Sequence, residues 1–130
     1  MIRKGLNMLN IELPVLNKEA TKENVLKAIK KYRLFMKCNY LNETILSKEN
    51  IFKENAKEER INYIIAMNKG LEKLDIESDR IIIQKYLLKN RVNRYEVMKE
   101  LNLSEGDYYR KRNIAFYNYA YALGIEVEEC

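Results

Sequence analysis

The sequence predicts an all-α protein, with a long N-terminal helix near residues 21–38 and a C-terminal helical bundle at 57–124. Three observations carry this. Apolar residues recur at steps of three and four in every strongly apolar stretch, the spacing that puts them on one helix face. Chain breakers are scarce: 4 glycines and 1 proline in 130 residues argue against an all-β fold built on many tight turns. Hydrophobic residues make up 47% of the chain and charged ones 33%, a balance that suits a core and not a disordered chain. The length fits one domain, with room at most for a small second module.

Residues 1–40 read as an N-terminal arm and an amphipathic helix. The arm, 1–17, holds the only proline, Pro14, and is expected to lie extended against the body. Thr21 is placed to cap the helix by accepting a hydrogen bond from a first-turn amide. Val25, Ile29, Tyr32 and Met36 then follow at steps of four, three and four. That face either packs on the protein's own bundle or pairs two copies; Lys27, Lys30, Lys31 and Lys37 lie opposite it. Residues 41–56 break the pattern with scattered Asn and Ser and read as a connecting segment. Residues 57–130 form the C-terminal unit. Its first helix carries Ile61, Ile64, Ile65, Asn68, Leu71 and Leu74 to about Asp75. Glu77-Ser78-Asp79 offers a cap for the next, whose Ile81, Ile82 and Ile83 precede Tyr86, Leu87 and Leu88. The Ile triplet alone suits a strand, but its polar neighbours and the length favour a helix buried on a wide face.

Several function classes drop out. With no histidine, Ser-His-Asp and Cys-His catalysis and the commonest zinc ligand are gone. No phosphate-binding loop, metal-ligand spacing or nucleophile with its base is present, so no enzyme and no cofactor are expected. Two cysteines, Cys38 and Cys130, are too few for a disulfide scaffold and point to a reducing, cytoplasmic setting. No apolar run approaches the roughly 20 residues of a membrane span. Arg3 and Lys4 are not followed by the apolar stretch of a signal peptide.

The formal net charge is +5, unevenly spread. Residues 1–40 hold nine basic and three acidic side chains, 41–79 six and nine, and 80–125 nine and four. Two basic regions flanking an acidic middle are the kind of footprint a nucleic-acid binder leaves. The second contains the most informative stretch. A short helix at about Arg94–Leu101 carries Val97, Met98 and Leu101 inward. Asn102 suits the left-handed conformation that ends a helix. Ser104 caps a second helix, with Glu105 and Asp107 in its first turn, where the helix dipole favours carboxylates. A short helix, a three-residue turn and a longer helix is the helix-turn-helix layout, in which the second helix enters the major groove of double-stranded DNA.

Tyr108, Ala115, Tyr119 and Leu123 define the buried face of this second helix. Glu105, Gly106, Tyr109, Arg110 and Asn113 are then expected on the outward face near its start, where base contacts form. An Arg110 guanidinium can fork onto guanine, and an Asn113 amide can pair with adenine. Lys111 and Arg112 are expected at the sides, within reach of phosphates. Ser104 and Glu105 complete the candidate DNA-binding set as caps of the reading helix, or, for Glu105, as an acceptor from a cytosine amine.

On Leu13-Pro14, Thr21-Lys22-Glu23-Asn24-Val25 and Lys31-Tyr32-Arg33 the chain resembles the ArpU family of phage transcriptional regulators. The resemblance continues through Ile83, Tyr86-Leu87, Val97-Met98-Lys99-Glu100-Leu101-Asn102-Leu103-Ser104, Tyr108-Tyr109-Arg110-Lys111-Arg112 and Ala115-Phe116. The Tyr-Tyr-Arg run is its most specific part. The C-terminal half is also similar to region 4 of sigma factors, a helix-turn-helix that reads promoter DNA. The resemblance implies a regulator, with activation the expected mode, of late packaging and lysis genes in a phage or prophage. Two positions depart from the family's pattern: Lys111 replaces an apolar residue and Asn102 the usual turn glycine. Helix-turn-helix proteins commonly read two half-sites, so a homodimer is expected, with RNA polymerase a further partner. The competing reading is an interaction module that docks on RNA polymerase or a phage packaging protein and touches no DNA.

Overall fold

Asn17, not Thr21, opens the first helix. The Asn17 side-chain oxygen accepts from the Ala20 amide at 3.1 Å, and its carbonyl accepts from the Thr21 amide at 2.9 Å. Thr21 is fully buried instead, and its hydroxyl exchanges hydrogen bonds with the backbone of Val127 near the other end of the chain. The cap moves because both residue types cap well and a tertiary partner claims the threonine. The computed structural model describes residues 13–44 and 51–129, with α1 over Lys18–Thr44 and α2 over Ile51–Glu72. The arm before Leu13, the stretch 45–50 of the connecting segment, and Cys130 lie outside the described residues.

Both helices run further into the segment 41–56 than its Asn and Ser content suggests. Single residues of those types cost a helix only a few tenths of a kcal/mol each, about what long flanking helices absorb. Three helices follow: α3 over Glu77–Leu88, α4 over Arg94–Leu101 and α5 over Glu105–Leu123. All five described elements are α-helices, as the periodicity predicts.

The core sits between α1, α2, α3 and α5, with α4 packed on α5. Val25, Ile29 and Tyr32 of α1 are buried in it beside Met67, Ile82, Ile83, Leu87 and Phe116. Of the two roles left open for this face, packing on its own bundle is the one observed, and only Met36, 46% exposed, remains outside. On α2 the buried face is turned from the expected one. Ile61 and Ile65 are exposed and Met67 and Gly70 are buried, whereas Leu74, just past the helix, is buried as expected and Ile64 and Leu71 are partly buried against the core. Apolar residues stand on several sides of α2, so their spacing alone does not fix its rotation. Gly70 decides it: a Cβ there would lie 2.5 Å from Leu123 Cδ2, so α5 approaches α2 along the side with no side chain.

The start of α3 also differs. Ile76 occupies the cap position without a side-chain bond, and Asp79 turns inward. Asp79 is 2% exposed and accepts from the Asn118 amide at 2.8 Å, joining α3 to α5. The Ile triplet is helical, with Ile82 and Ile83 buried. Gly124 ends α5 at φ 73°, a left-handed conformation open to glycine at little cost. The chain then returns along the extended arm. The Asn17 amide donates to the Val127 carbonyl at 2.7 Å and the Glu129 amide to Val15 at 2.8 Å. For residues 13–17, the arm thus lies extended against the body. No helix among the described residues is long and apolar enough to cross a membrane.

Candidate nucleic-acid interface

The α4–turn–α5 unit follows its local sequence closely. Asn93 caps α4 by accepting from the Tyr95 amide at 3.0 Å. Asn102 adopts φ 55°, ψ 54°, the left-handed geometry expected of it, and the Leu103 amide closes the turn onto the Met98 carbonyl at 2.8 Å. The Ser104 hydroxyl then accepts from the Asp107 amide at 3.2 Å, as the cap of α5.

The unit is held on the rest of the molecule by α1 and α3. Arg33 of α1 donates its guanidinium to the carbonyls of Tyr86, at 3.3 Å, and Lys89, at the open end of α3. A cation there meets the negative end of the helix dipole and carbonyls that lack helical donors. The neighbouring Tyr32 donates to the Asn68 side chain at 3.3 Å. The Tyr32-Arg33 pair therefore fastens α1 to both α2 and α3. Tyr86 packs edge-on against Phe116, ring centroids 5.1 Å apart, and its hydroxyl lies 3.4 Å from that of Tyr108.

Arg94, the first residue of α4, joins the two helices of the unit. It donates to the Tyr109 hydroxyl at 2.7 Å and the Tyr95 hydroxyl at 2.9 Å, and it lies 3.5 Å from the Glu105 carboxylate. The bond to Tyr95, with help from Tyr109 and Glu105, holds its charge above even the usual arginine range. No local pattern singles out Arg94; its role emerges only when α4 and α5 lie side by side.

The predicted site residues divide into two groups. Arg110 is outward, its side chain 73% exposed, and is tied to Asp107 one turn back. Lys111, Glu105 and Gly106 are exposed, and Ser104 lies at the exposed start of α5. Tyr109, Arg112 and Asn113 are half-buried. Tyr109 is turned toward Arg94 and packs its ring edge on Tyr108 at 5.3 Å. Arg112 stands four residues after Tyr108 and four before Phe116, which places it on the buried row and not at the side. Its guanidinium lies over the Tyr109 and Phe116 rings and donates to the Asn113 side-chain oxygen at 3.0 Å. That oxygen is the one an adenine contact would use, and it already accepts from Arg112.

The outward row of α5 instead runs through Asp107, Arg110, Ile114 and Tyr121. Ile114 is 48% exposed and helps line a shallow hollow of about 350 Å³ with Leu103, Asp107, Arg110 and Lys111. The steps of three and four from Arg110 were a signal available in the sequence. Ser104, and after it Arg110, draw the Asp107 carboxyl below the usual carboxylate range. Lys111 and Arg112 have no carboxylate partner among the described residues. No group of three or more His, Cys, Asp or Glu placed to hold a metal ion occurs among those residues. No protein-family model, curated protein or solved structure matches this chain.

Proposed function

We propose that the protein is a DNA-binding transcriptional regulator, with α4 and α5 acting as a helix-turn-helix and α5 as the reading helix. The observation that carries the reading is the capped α4–turn–α5 unit presenting Arg110 and Lys111 to solvent beside the turn. The sequence resemblance to ArpU regulators and to sigma region 4 supports it, and makes late phage or prophage genes the expected target, with activation the expected mode. Within this reading Arg110 contacts a base, Ile114 offers an apolar contact to a thymine methyl, and Lys111 contacts phosphate. A homodimer on a two-fold site is the expected binding form, with a pairing surface other than Val25, Ile29 and Tyr32, which are buried.

The test is selection of bound sequences from random duplexes, followed by anisotropy titrations at several salt concentrations. Arg110→Ala should weaken the selected site by about 1–3 kcal/mol and relax one base position. Lys111→Ala should weaken selected and random duplexes alike and flatten the salt slope by about one unit. A folded wild-type protein that binds neither duplex at low salt would overturn the reading in favour of an interaction module.

A further inference from the structure

A second feature of the α4–α5 unit is not used by base reading. A hollow of about 440 Å³ opens where the starts of α4 and α5 meet, lined by Tyr86, Asn93, Arg94, Tyr95, Tyr109 and Arg112 among others. Two guanidiniums converge on it. Both stack on the ring of Tyr109, Arg112 at 5.0 Å and Arg94 at 5.8 Å from its centre. The only carboxylate paired with either, among the described residues, is Glu105 on Arg94. Arg94 Nε is buried and has no hydrogen-bond partner, the one such side-chain atom among the described residues. A charged donor left unmet costs more than a neutral one, so a native fold that keeps one usually supplies an acceptor.

We propose that this hollow binds a phosphate ester, with Arg94 and Arg112 as its cationic walls and the tyrosine rings around it as an aromatic floor. The chemistry fits part by part. A phosphate group offers several acceptor oxygens, enough for the Arg94 and Arg112 guanidiniums together. Its charge offsets two converging cations that one exposed glutamate leaves unbalanced. The hollow is larger than a bare phosphate, and its tyrosine rings suit the sugar or base attached to it. The phosphate comes either from a backbone phosphodiester of bound DNA or from a free nucleotide. The first source rests on the proposed DNA-binding function; the second does not.

The experiment is nuclear magnetic resonance titration of the full chain with three probes: inorganic phosphate, adenosine monophosphate and a random-sequence duplex. Wild-type shifts should concentrate on Asn93, Arg94, Tyr95, Tyr109 and Arg112 with at least one probe. Arg94→Gln and Arg112→Gln should each weaken that probe about tenfold or more while helix content is unchanged. Because Arg94 also joins α4 to α5, the Arg112 variant and the wild-type shift map keep the test independent of any loss of folding in the Arg94 variant. Shifts with the duplex, lost in both variants, identify a backbone clamp. Shifts with the monophosphate alone identify a nucleotide site, and they would stand even if no duplex is bound. Absence of shifts in the hollow with all three probes, or variants that bind all three as wild type does, would overturn the proposal, and duplex binding that shifts other residues would leave the DNA-binding function standing.

Discussion

Arg110 and Asp107 carry opposite consequences for one interaction. Asp107 sits in the first turn of α5, where its charge favours the helix, and it also holds the Arg110 guanidinium. A guanidinium must leave that carboxylate before it can fork onto a base, and the carboxylate repels nearby phosphate. Asp107→Asn is therefore expected to bind random duplexes a few-fold more tightly at low salt, with the gain fading at high salt, and to melt slightly earlier. Anisotropy titrations and thermal melts check both halves; unchanged or weaker binding by a folded variant would count against α5 as the reading helix. The pH dependence has a definite sign. The carboxyl is held below its ordinary value by Ser104 and Arg110, so its contribution to stability is complete above the unfolded value. It is lost as pH falls through the lower, folded value. The Asn variant should show a shallower acid transition than wild type.

At the scale of elements, what the sequence made legible was what local chemistry decides. α4 has the bounds its pattern suggests, and Asn102 and Ser104 play the backbone roles their side chains favour. What stayed hidden depends on distant partners. Thr21 looks like a cap until Val127 claims its hydroxyl, and Ile61 looks like core until Gly70 lets α5 settle on another face of α2. In the candidate site, Arg110 lies outward as expected, whereas Arg112, expected at the side of the helix, lies on the row that its spacing from Tyr108 and Phe116 marks. Arg33 shows how an element is positioned from outside its own sequence. Its bonds to the Tyr86 and Lys89 carbonyls close α3 and fix where the chain departs toward α4. Arg33→Ala should cost about 1–3 kcal/mol, the range for hydrogen bonds from a charged donor, and urea unfolding measures it. It should also weaken binding to the selected DNA site more than the stability loss alone explains, because α4 and α5 lose an anchor. A variant as stable as wild type would remove α1 from the support of the unit.

For the whole molecule, the core has a built-in sensitivity to high pH. Tyr119 is fully buried and donates to the Met67 carbonyl at 2.8 Å, joining α5 to α2. Tyr108 is nearly as buried, with its hydroxyl beside that of Tyr86. Burial, before any other cause, pushes both phenols well above their ordinary value, because a phenolate in the core would lack water. In the unfolded chain the same groups ionise at about pH 10. Their folded-state values are raised, so their contribution to stability is complete below pH ~10 and is lost as pH climbs toward the folded values. Unfolding in urea should therefore become easier above pH ~10, with tyrosinate absorbance from the buried rings rising together with loss of helix. Lysines also lose charge in this range, so the wild-type curve does not isolate the phenols. Tyr119→Phe does: at neutral pH it should cost about 0.5–1.5 kcal/mol for the lost hydrogen bond. Above pH 10 the gap to wild type should narrow, because the variant has one fewer buried phenol to ionise on unfolding. A gap that stays constant across that range would show that Tyr119 ionises as easily in the fold as in the unfolded chain, and that the α2–α5 contact admits water.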